Sequence, residues 1–135
     1  MKYFKLIALG LLLGTGFTFA DDTPLAEKMD EVSGTLKGLR RLEGDWQGSV
    51  KVVREAQKQL LECFAWTPAL LDKMPEGREK ELAIANYKTV LAESYMQLCA
   101  LEIAYLSEDQ EKVDIAMDAV KAGRKKGHQE FIEEE

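Results

Sequence analysis

Few side chains in this sequence could do chemistry beyond packing, and two of them lie far apart in the chain. His128, the sole histidine, follows a basic run at positions 124–126, and Met29 lies near the start of the first predicted helix. A neutral imidazole nitrogen and a methionine thioether are the axial ligands of many electron-transfer haems. Together they leave the iron six-coordinate, so the chemistry they predict is one-electron transfer rather than oxygen activation.

The first twenty residues have the pattern of a secretory leader. Lys2 and Lys5 precede an apolar run at positions 6–13, and Thr18 and Ala20 are small residues suited to cleavage after Ala20. The apolar run is too short to span a membrane. We therefore expect residues 1–20 to be a signal peptide and residues 21–135 to form an exported domain, most simply in the periplasm.

The charge balance argues against several classes of partner. Removal of the leader with its two lysines changes the formal net charge from −6 to −8. An acidic domain is a poor candidate for binding nucleic acid or an anionic membrane. No second long apolar run follows the leader, so we also expect no membrane insertion.

Two cysteines, Cys63 and Cys99, would meet an oxidising compartment after export, which favours a disulfide. The predicted helices argue against one within the chain, because they place the two residues more than about 20 Å apart. No Cys-x-x-Cys-His motif is present, which excludes covalent c-type haem attachment by that motif.

Four stretches have the apolar spacing of an amphipathic helix, and none alternates with the period of a strand. In chain order they run from Leu25 to Leu39, from Trp46 to Phe64, from Arg78 to Leu106 and from Val113 to Phe131. The stretch from Arg78 to Leu106 is the longest. These helices predict an all-α protein, an antiparallel up-down-up-down four-helix bundle whose longest connection covers residues 67–77.

The longest predicted helix has two adjacent apolar stripes. We call the first the 82–106 stripe; it consists of Leu82, Ala85, Thr89, Ala92, Met96, Cys99, Ile103 and Leu106. The second, the 84–105 stripe, consists of Ile84, Tyr87, Leu91, Leu98, Leu101 and Tyr105. We expect this wide apolar face to pack against two neighbouring helices.

An up-down-up-down bundle brings Met29 and His128 to the same end. Met29 is about five residues into the first helix and His128 is close to the end of the fourth, so both lie within roughly 10 Å of that end. The side chains expected to form a cofactor pocket around them are Val32, Leu36, Leu60, Phe64, Pro68, Leu82 and Arg124. Arg124, one turn before His128, is a candidate partner for a haem propionate.

Simpler interpretations of the same residues stay open. A methionine on a helix face is most often core filler, and a histidine near a helix end is usually a surface residue. No paired carboxylates or activated nucleophile stand out, so we do not expect an enzyme. The alternatives to a haem protein are a haem-free periplasmic helical bundle that acts in interaction or stress response, and a metal-handling protein.

Three segments resemble the soluble periplasmic cytochrome b562 family. They are TPLAEKMDEVSGTLKGL at the first helix, WTPALLDK at the exit of the second, and RKKGHQEF near the C-terminus. The resemblance covers nearly the whole chain after the leader. It implies one non-covalent haem b per chain, with Met29 and His128 as ligands, and an electron-transfer role with transient redox protein partners. We expect a monomer.

Overall fold

A computed structural model describes residues 23–131, and the predicted signal peptide at residues 1–20 lies outside them. The described residues form helices and turns without a strand, which confirms the all-α class. None of these helices is long and apolar enough to cross a membrane. The long helices are α1 (Pro24–Lys37), α2 (Trp46–Glu62), α3 (Arg78–Leu106) and α4 (Gln110–Phe131).

Shorter helical segments lie between the long helices. A 3-10 helix, Gly38–Leu42, follows α1, and another, Cys63–Ala65, follows α2. The connection predicted at residues 67–77 contains one helical turn, Ala69–Asp72, with Leu70 and Leu71 buried. The connection is therefore partly ordered by its own apolar side chains.

Local capping signals fix the starts of α1 and α2. The Thr23 side chain accepts a hydrogen bond from the backbone N–H of Ala26 at 3.1 Å, directly before the proline that begins α1. The Asp45 carboxylate accepts one from the N–H of Gly48 at 2.9 Å and caps α2. The preceding turn has Gly44 at a φ of +87°, a backbone conformation that glycine adopts without steric cost.

The long helices contact one another in chain order. Helix α1 packs on α2, α2 on α3, and α3 on α4, whereas α1 and α4 have little direct contact. Lys28 of α1 pairs with Glu62 of α2 at 2.8 Å. The ring of Trp46 in α2 lies 6.2 Å from that of Tyr105 in α3. A seam between α1 and α4 is consequently left with little helix-to-helix packing.

Helix α3 directs one of its two predicted stripes into the core. Tyr87, Leu91, Leu98, Leu101 and Tyr105 of the 84–105 stripe are buried. The 82–106 stripe faces outward and has no buried member. The expectation that both stripes pack was therefore wrong for this one, because α2 and α4 flank the inward side of α3 and no described residue covers its outward side.

A polar cluster joins α2 to α3 where Gln57 interrupts the apolar spacing of α2. The buried Gln57 amide donates hydrogen bonds to Glu102 Oε1 at 2.8 Å and to the Leu98 carbonyl at 3.4 Å. Arg54 Nε donates to Glu102 Oε2 at 2.7 Å. These bonds satisfy a polar group that would otherwise destabilise the core.

Both cysteines are free thiols, which confirms that the chain forms no internal disulfide. Cys63 is buried, and its thiol donates to the Gln59 carbonyl at 3.6 Å. Cys99 is only half-buried, because it lies at the edge between the inward and outward sides of α3.

Replacement of Leu101 should be the most damaging apolar truncation in α3. Leu101 is fully buried, so Leu101→Ala should lower the free energy of unfolding by about 2–5 kcal/mol. Ile115→Ala, at an exposed position of α4, should change it by less than about 0.5 kcal/mol. Urea denaturation followed by circular dichroism measures both, and equal losses would contradict the assigned core.

Acid should weaken the α2–α3 contact through Glu102. The amide of Gln57, and then Arg54, hold the pKa of Glu102 below its usual range, so the ionised form stabilises the folded state. This contribution is present above the pKa of an unfolded glutamate, about 4.3, and is lost as the pH falls through the lower folded value. Between pH 6 and pH 3, the free energy of unfolding of Glu102→Gln should therefore fall less than that of the unchanged protein.

The matched control for this variant is Glu111→Gln, which changes an exposed carboxylate in the first turn of α4. The control should keep the pH dependence of the unchanged protein in the same denaturation experiment. An unchanged pH dependence in Glu102→Gln would show that the cluster does not stabilise the fold through its charge.

Candidate ligand-binding site

The seam between α1 and α4 contains a cavity of about 160 Å³. Both helices supply its walls, α3 forms its floor, and Leu60 and residues 68–70 close one end. Because α1 and α4 have little direct contact, they can line a shared space that helices in close contact would fill with side chains. The cavity therefore follows from the order in which the helices pack.

The lining is mostly apolar, with polar groups in a minority. The apolar lining residues that matter below are Leu25, Met29, Val32, Leu36, Leu60, Val120 and Phe131. Side chains with polar atoms come mainly from α3 and α4, with Thr23 and Ser33 on the α1 side; those of α3 and α4 include Tyr87, Ser94, Gln97, Arg124 and His128. An apolar pocket with a few placed polar groups is the usual form of a small-molecule or cofactor site.

The cavity has Met29 and His128 in its lining, on opposite helices. Met29 is half-buried on α1, and His128 is exposed on the last turns of α4. A thioether and an imidazole thus line one apolar space although the residues are 99 positions apart in the chain. The exposure of His128 places it at the rim.

Five of the seven predicted pocket residues line this cavity: Val32, Leu36, Leu60, Pro68 and Arg124. The structure places the other two, Phe64 and Leu82, outside the lining.

Phe64 misses the cavity because of the 3-10 helix that follows α2. Three residues make a turn there rather than 3.6, so Cys63 continues the buried face after Leu60 and Phe64 turns toward solvent. Leu82 misses it because it belongs to the outward 82–106 stripe.

Helix α3 supplies lining residues that the sequence analysis did not assign to the pocket, among them Tyr87, Ser94 and Gln97. One signal for them was present in the sequence. The 84–105 stripe has steps of three and four residues except between Leu91 and Leu98, and Ser94 occupies the missing position. A polar residue in an otherwise apolar inward stripe indicates a place where the core is not filled by hydrocarbon.

Two buried polar atoms in the lining have no hydrogen-bond partner among the described residues: the Tyr87 hydroxyl and Gln97 Oε1. Leaving such a group unpaired costs about 1–3 kcal/mol. The ring of Tyr87 is held in place by edge-on packing against Phe131, with ring centroids 5.4 Å apart. A ligand with polar groups, or water, would recover this energy at both atoms.

Burial also fixes the ionisation of the site. It raises the pKa of the Tyr87 hydroxyl well above its usual value, and the nearby Cys63 thiol, as an anion, would add to the shift. Burial raises the pKa of Cys63 itself to about 11. Both groups are therefore neutral at physiological pH, so Tyr87 is a hydrogen-bond donor and acceptor without charge.

A glycine on α4 allows the close approach of α3 and α4 beside the cavity. A Cβ atom added at Gly123 would contact Oε1 of Gln97 and come within 3.1 Å of its Cδ. Any larger residue would therefore displace the Gln97 side chain from the lining.

The residues present fit a haem in their chemistry and only partly in the space they enclose. Thioether and imidazole are suitable axial donors, and the apolar lining would exclude water. A volume of about 160 Å³ is below the 300–1,000 Å³ of sites that enclose whole organic ligands. Binding of a macrocycle would therefore require α1 and α4 to separate further along their seam.

No family model, no curated protein and no solved structure matches this chain. Within residues 23–131, no group of three or more histidine, cysteine, aspartate or glutamate side chains could hold a metal ion.

Removal of the Tyr87 hydroxyl should not destabilise the ligand-free protein. Tyr87→Phe deletes an unpaired buried hydroxyl, so the free energy of unfolding should stay the same or rise by up to about 1 kcal/mol. Tyr105→Phe is the matched control, because its hydroxyl lies beside the Ser49 side chain and is not an unpaired buried group, so its loss should cost about 1 kcal/mol. A cost at Tyr87 as large as that at Tyr105 would show that the hydroxyl has a partner.

Proposed function

We propose that this protein is a periplasmic b-type haem protein that carries single electrons, with Met29 and His128 as the axial ligands of one non-covalent haem. The observation that supports it best is that Met29 and His128 line the same mostly apolar cavity from opposite helices. The resemblance of the three sequence segments to the cytochrome b562 family points the same way.

The proposal includes the antiparallel up-down-up-down arrangement of the four long helices. Lys28 near the start of α1 pairs with Glu62 at the end of α2. Tyr87 early in α3 packs on Phe131 at the end of α4. These pairs are the ones that such a bundle requires, and they support the placement of Met29 and His128 at one end of it.

The open seam is what allows a planar ligand to enter. Since α1 and α4 have little direct contact, their separation would break few packing contacts between them. Haem would supply one-electron oxidation and reduction at iron. The residues around it would keep water away, and Met29, a soft ligand that favours the reduced metal, would raise the reduction potential.

One polar group at the rim of the site suits the propionates of a haem. Arg124 is exposed at the rim, one turn before His128, where a guanidinium can pair with a carboxylate that points into solvent. The unpaired Tyr87 hydroxyl and Gln97 carbonyl oxygen lie deeper in the lining.

Location and partners belong to the same proposal. The leader at residues 1–20 supports export, and an acidic surface supports transient contact with basic patches on redox proteins. No substrate is turned over, so the protein is not an enzyme in this proposal.

A second candidate is a haem-free helical bundle that acts through protein contacts in interaction or stress response. Two observations favour it. His128 is exposed, as an ordinary surface histidine would be. The 82–106 stripe of α3 presents apolar side chains to solvent, which is typical of an interaction surface.

A haemin titration of the purified protein separates the two candidates. The haem proposal predicts a sharp Soret band that saturates at one haem per chain, with resolved α and β bands after reduction by dithionite. Met29→Ala and His128→Ala should each remove the six-coordinate spectrum, because each deletes one axial ligand.

Matched controls are Met117→Ala, at a half-buried methionine of α4 outside the cavity lining, and Gln129→Ala, next to the histidine. Both should keep the spectrum and the one-to-one endpoint. A spectrum that stays that of free haemin in the unchanged protein would contradict the haem proposal and leave the interaction candidate.

A further inference from the structure

The outward side of α3 is an exposed apolar strip with no partner among the described residues. The four largest side chains of the 82–106 stripe are strongly exposed: Leu82 at 57%, Met96 at 69%, Ile103 at 60% and Leu106 at 56%. The eight stripe positions contain no charged residue. A helix with only core-facing apolar residues would have charged or polar side chains on this side.

The strip is of the size of the main apolar patch on a typical monomer. From Leu82 to Leu106 it rises about 36 Å along the helix, and at a helix width of about 10 Å it covers roughly 360 Å². The largest apolar patch on a typical monomer is about 300–600 Å² and is often functional. The strip is thus comparable to the largest patches that monomers tolerate, and it lies on a single helix.

The spacing of the stripe is that of a coiled-coil seam. Its steps alternate between three and four residues over the whole length, a strict seven-residue repeat. The 84–105 stripe already packs into the core of this chain. The outward 82–106 stripe is thus a second apolar stripe on the same helix, with the spacing that packs against another helix.

The spacing of the stripe is symmetric, which allows a second copy of α3 to pack against it antiparallel. The steps 3, 4, 3, 4, 3, 4, 3 are the same from either end, with their midpoint between Ala92 and Met96. Two copies of α3 placed antiparallel about that midpoint match large residues with small ones at two of the four paired levels, where Ile103 faces Ala85 and Met96 faces Ala92. At the ends of the contact, Leu82 faces Leu106. Alternation of large and small side chains is what close packing between helices requires.

We propose that the occupant of this strip is a second copy of this chain, bound through an antiparallel, two-fold symmetric α3–α3 contact. A two-fold axis uses the same surface on both copies, which a sequence with a symmetric stripe satisfies. This contact replaces the expectation of a monomer and is independent of whether the cavity between α1 and α4 holds haem.

The charges beside the strip are compatible with this arrangement. On the flank nearer α2, Lys88 lies level with Glu102 of the other copy to within about 3 Å along the axis, by the rise per residue. On the other flank Glu93 lies near its own counterpart, and its ion pair with Lys126 at 3.6 Å offsets the repulsion. The area is below the roughly 800 Å² per partner of a standard interface, so the dimer is a weak, transient one.

Sedimentation velocity of the purified protein over a concentration series from about 5 to 500 µM tests the contact. The average mass should rise from one chain toward two. Ile103→Glu places a charge in the strip and should raise the concentration at which half of the chains are dimeric at least tenfold. Ile115→Glu changes an equally exposed isoleucine on α4 and should leave it unchanged. Circular dichroism checks that both variants stay folded.

Disulfide trapping tests the register in a Cys99→Ser background. Ala85→Cys with Ile103→Cys places two thiols opposite each other across the axis, so oxidation should give a covalent dimer. Ala85→Cys with Thr89→Cys uses the same strip, yet all its intermolecular pairs are about 15 Å or more apart along the helix, so it should stay uncrosslinked.

A protein that keeps the mass of one chain throughout the series would overturn the proposal. So would a dimer that Ile103→Glu does not weaken, since its contact would lie elsewhere. Crosslinking of the control pair as readily as the matched pair would overturn the two-fold register.

Discussion

Burial of one side of α3 is the constraint on which the rest of the fold depends. This 29-residue helix contacts both α2 and α4, whereas α1 is attached mainly through α2. Leu101 and Leu98 lie at the centre of that contact and are almost fully buried. Because the helices are joined in the order α1, α2, α3, α4, the two outer ones are the pair left without close packing. The cavity between them is a consequence of this order rather than a separate device.

The cavity retains unsatisfied polar atoms that a fully packed core would avoid. The Tyr87 hydroxyl and Gln97 Oε1 both lie in its lining without a partner. Gly123 has no Cβ atom, and this leaves room on α4 for the Gln97 side chain at that position. A filled apolar core would be more stable without these groups. These unpaired groups lie in the same lining as Met29 and His128. They make the folded protein less stable than it would be with a fully packed apolar seam. Sites that bind ligands are commonly arranged in this way.

The sequence predicted the helices better than their faces. The bounds of α3 were predicted from its apolar spacing. The caps at Thr23 and Asp45 form because proline, glycine and capping residues act locally. Periodicity could not decide which stripe of α3 faces the core, because both have the same spacing and only the neighbouring helices distinguish them. The pocket residues on α1 followed from the spacing around Met29. Phe64 did not, because a 3-10 helix changes the rotation per residue by an amount that the sequence pattern does not reveal.

The most direct test of the Met29–His128 site is the proton NMR spectrum of the methionine methyl groups after haem is added and reduced. Protons held over the face of an aromatic macrocycle are shielded, so one methyl resonance should move far upfield of the others. That resonance should be absent in Met29→Leu and present in Met117→Leu, whose methionine lies outside the cavity lining. If every methionine methyl stays in the ordinary range, or if the shifted resonance persists in Met29→Leu, the cavity between α1 and α4 does not bind haem through Met29.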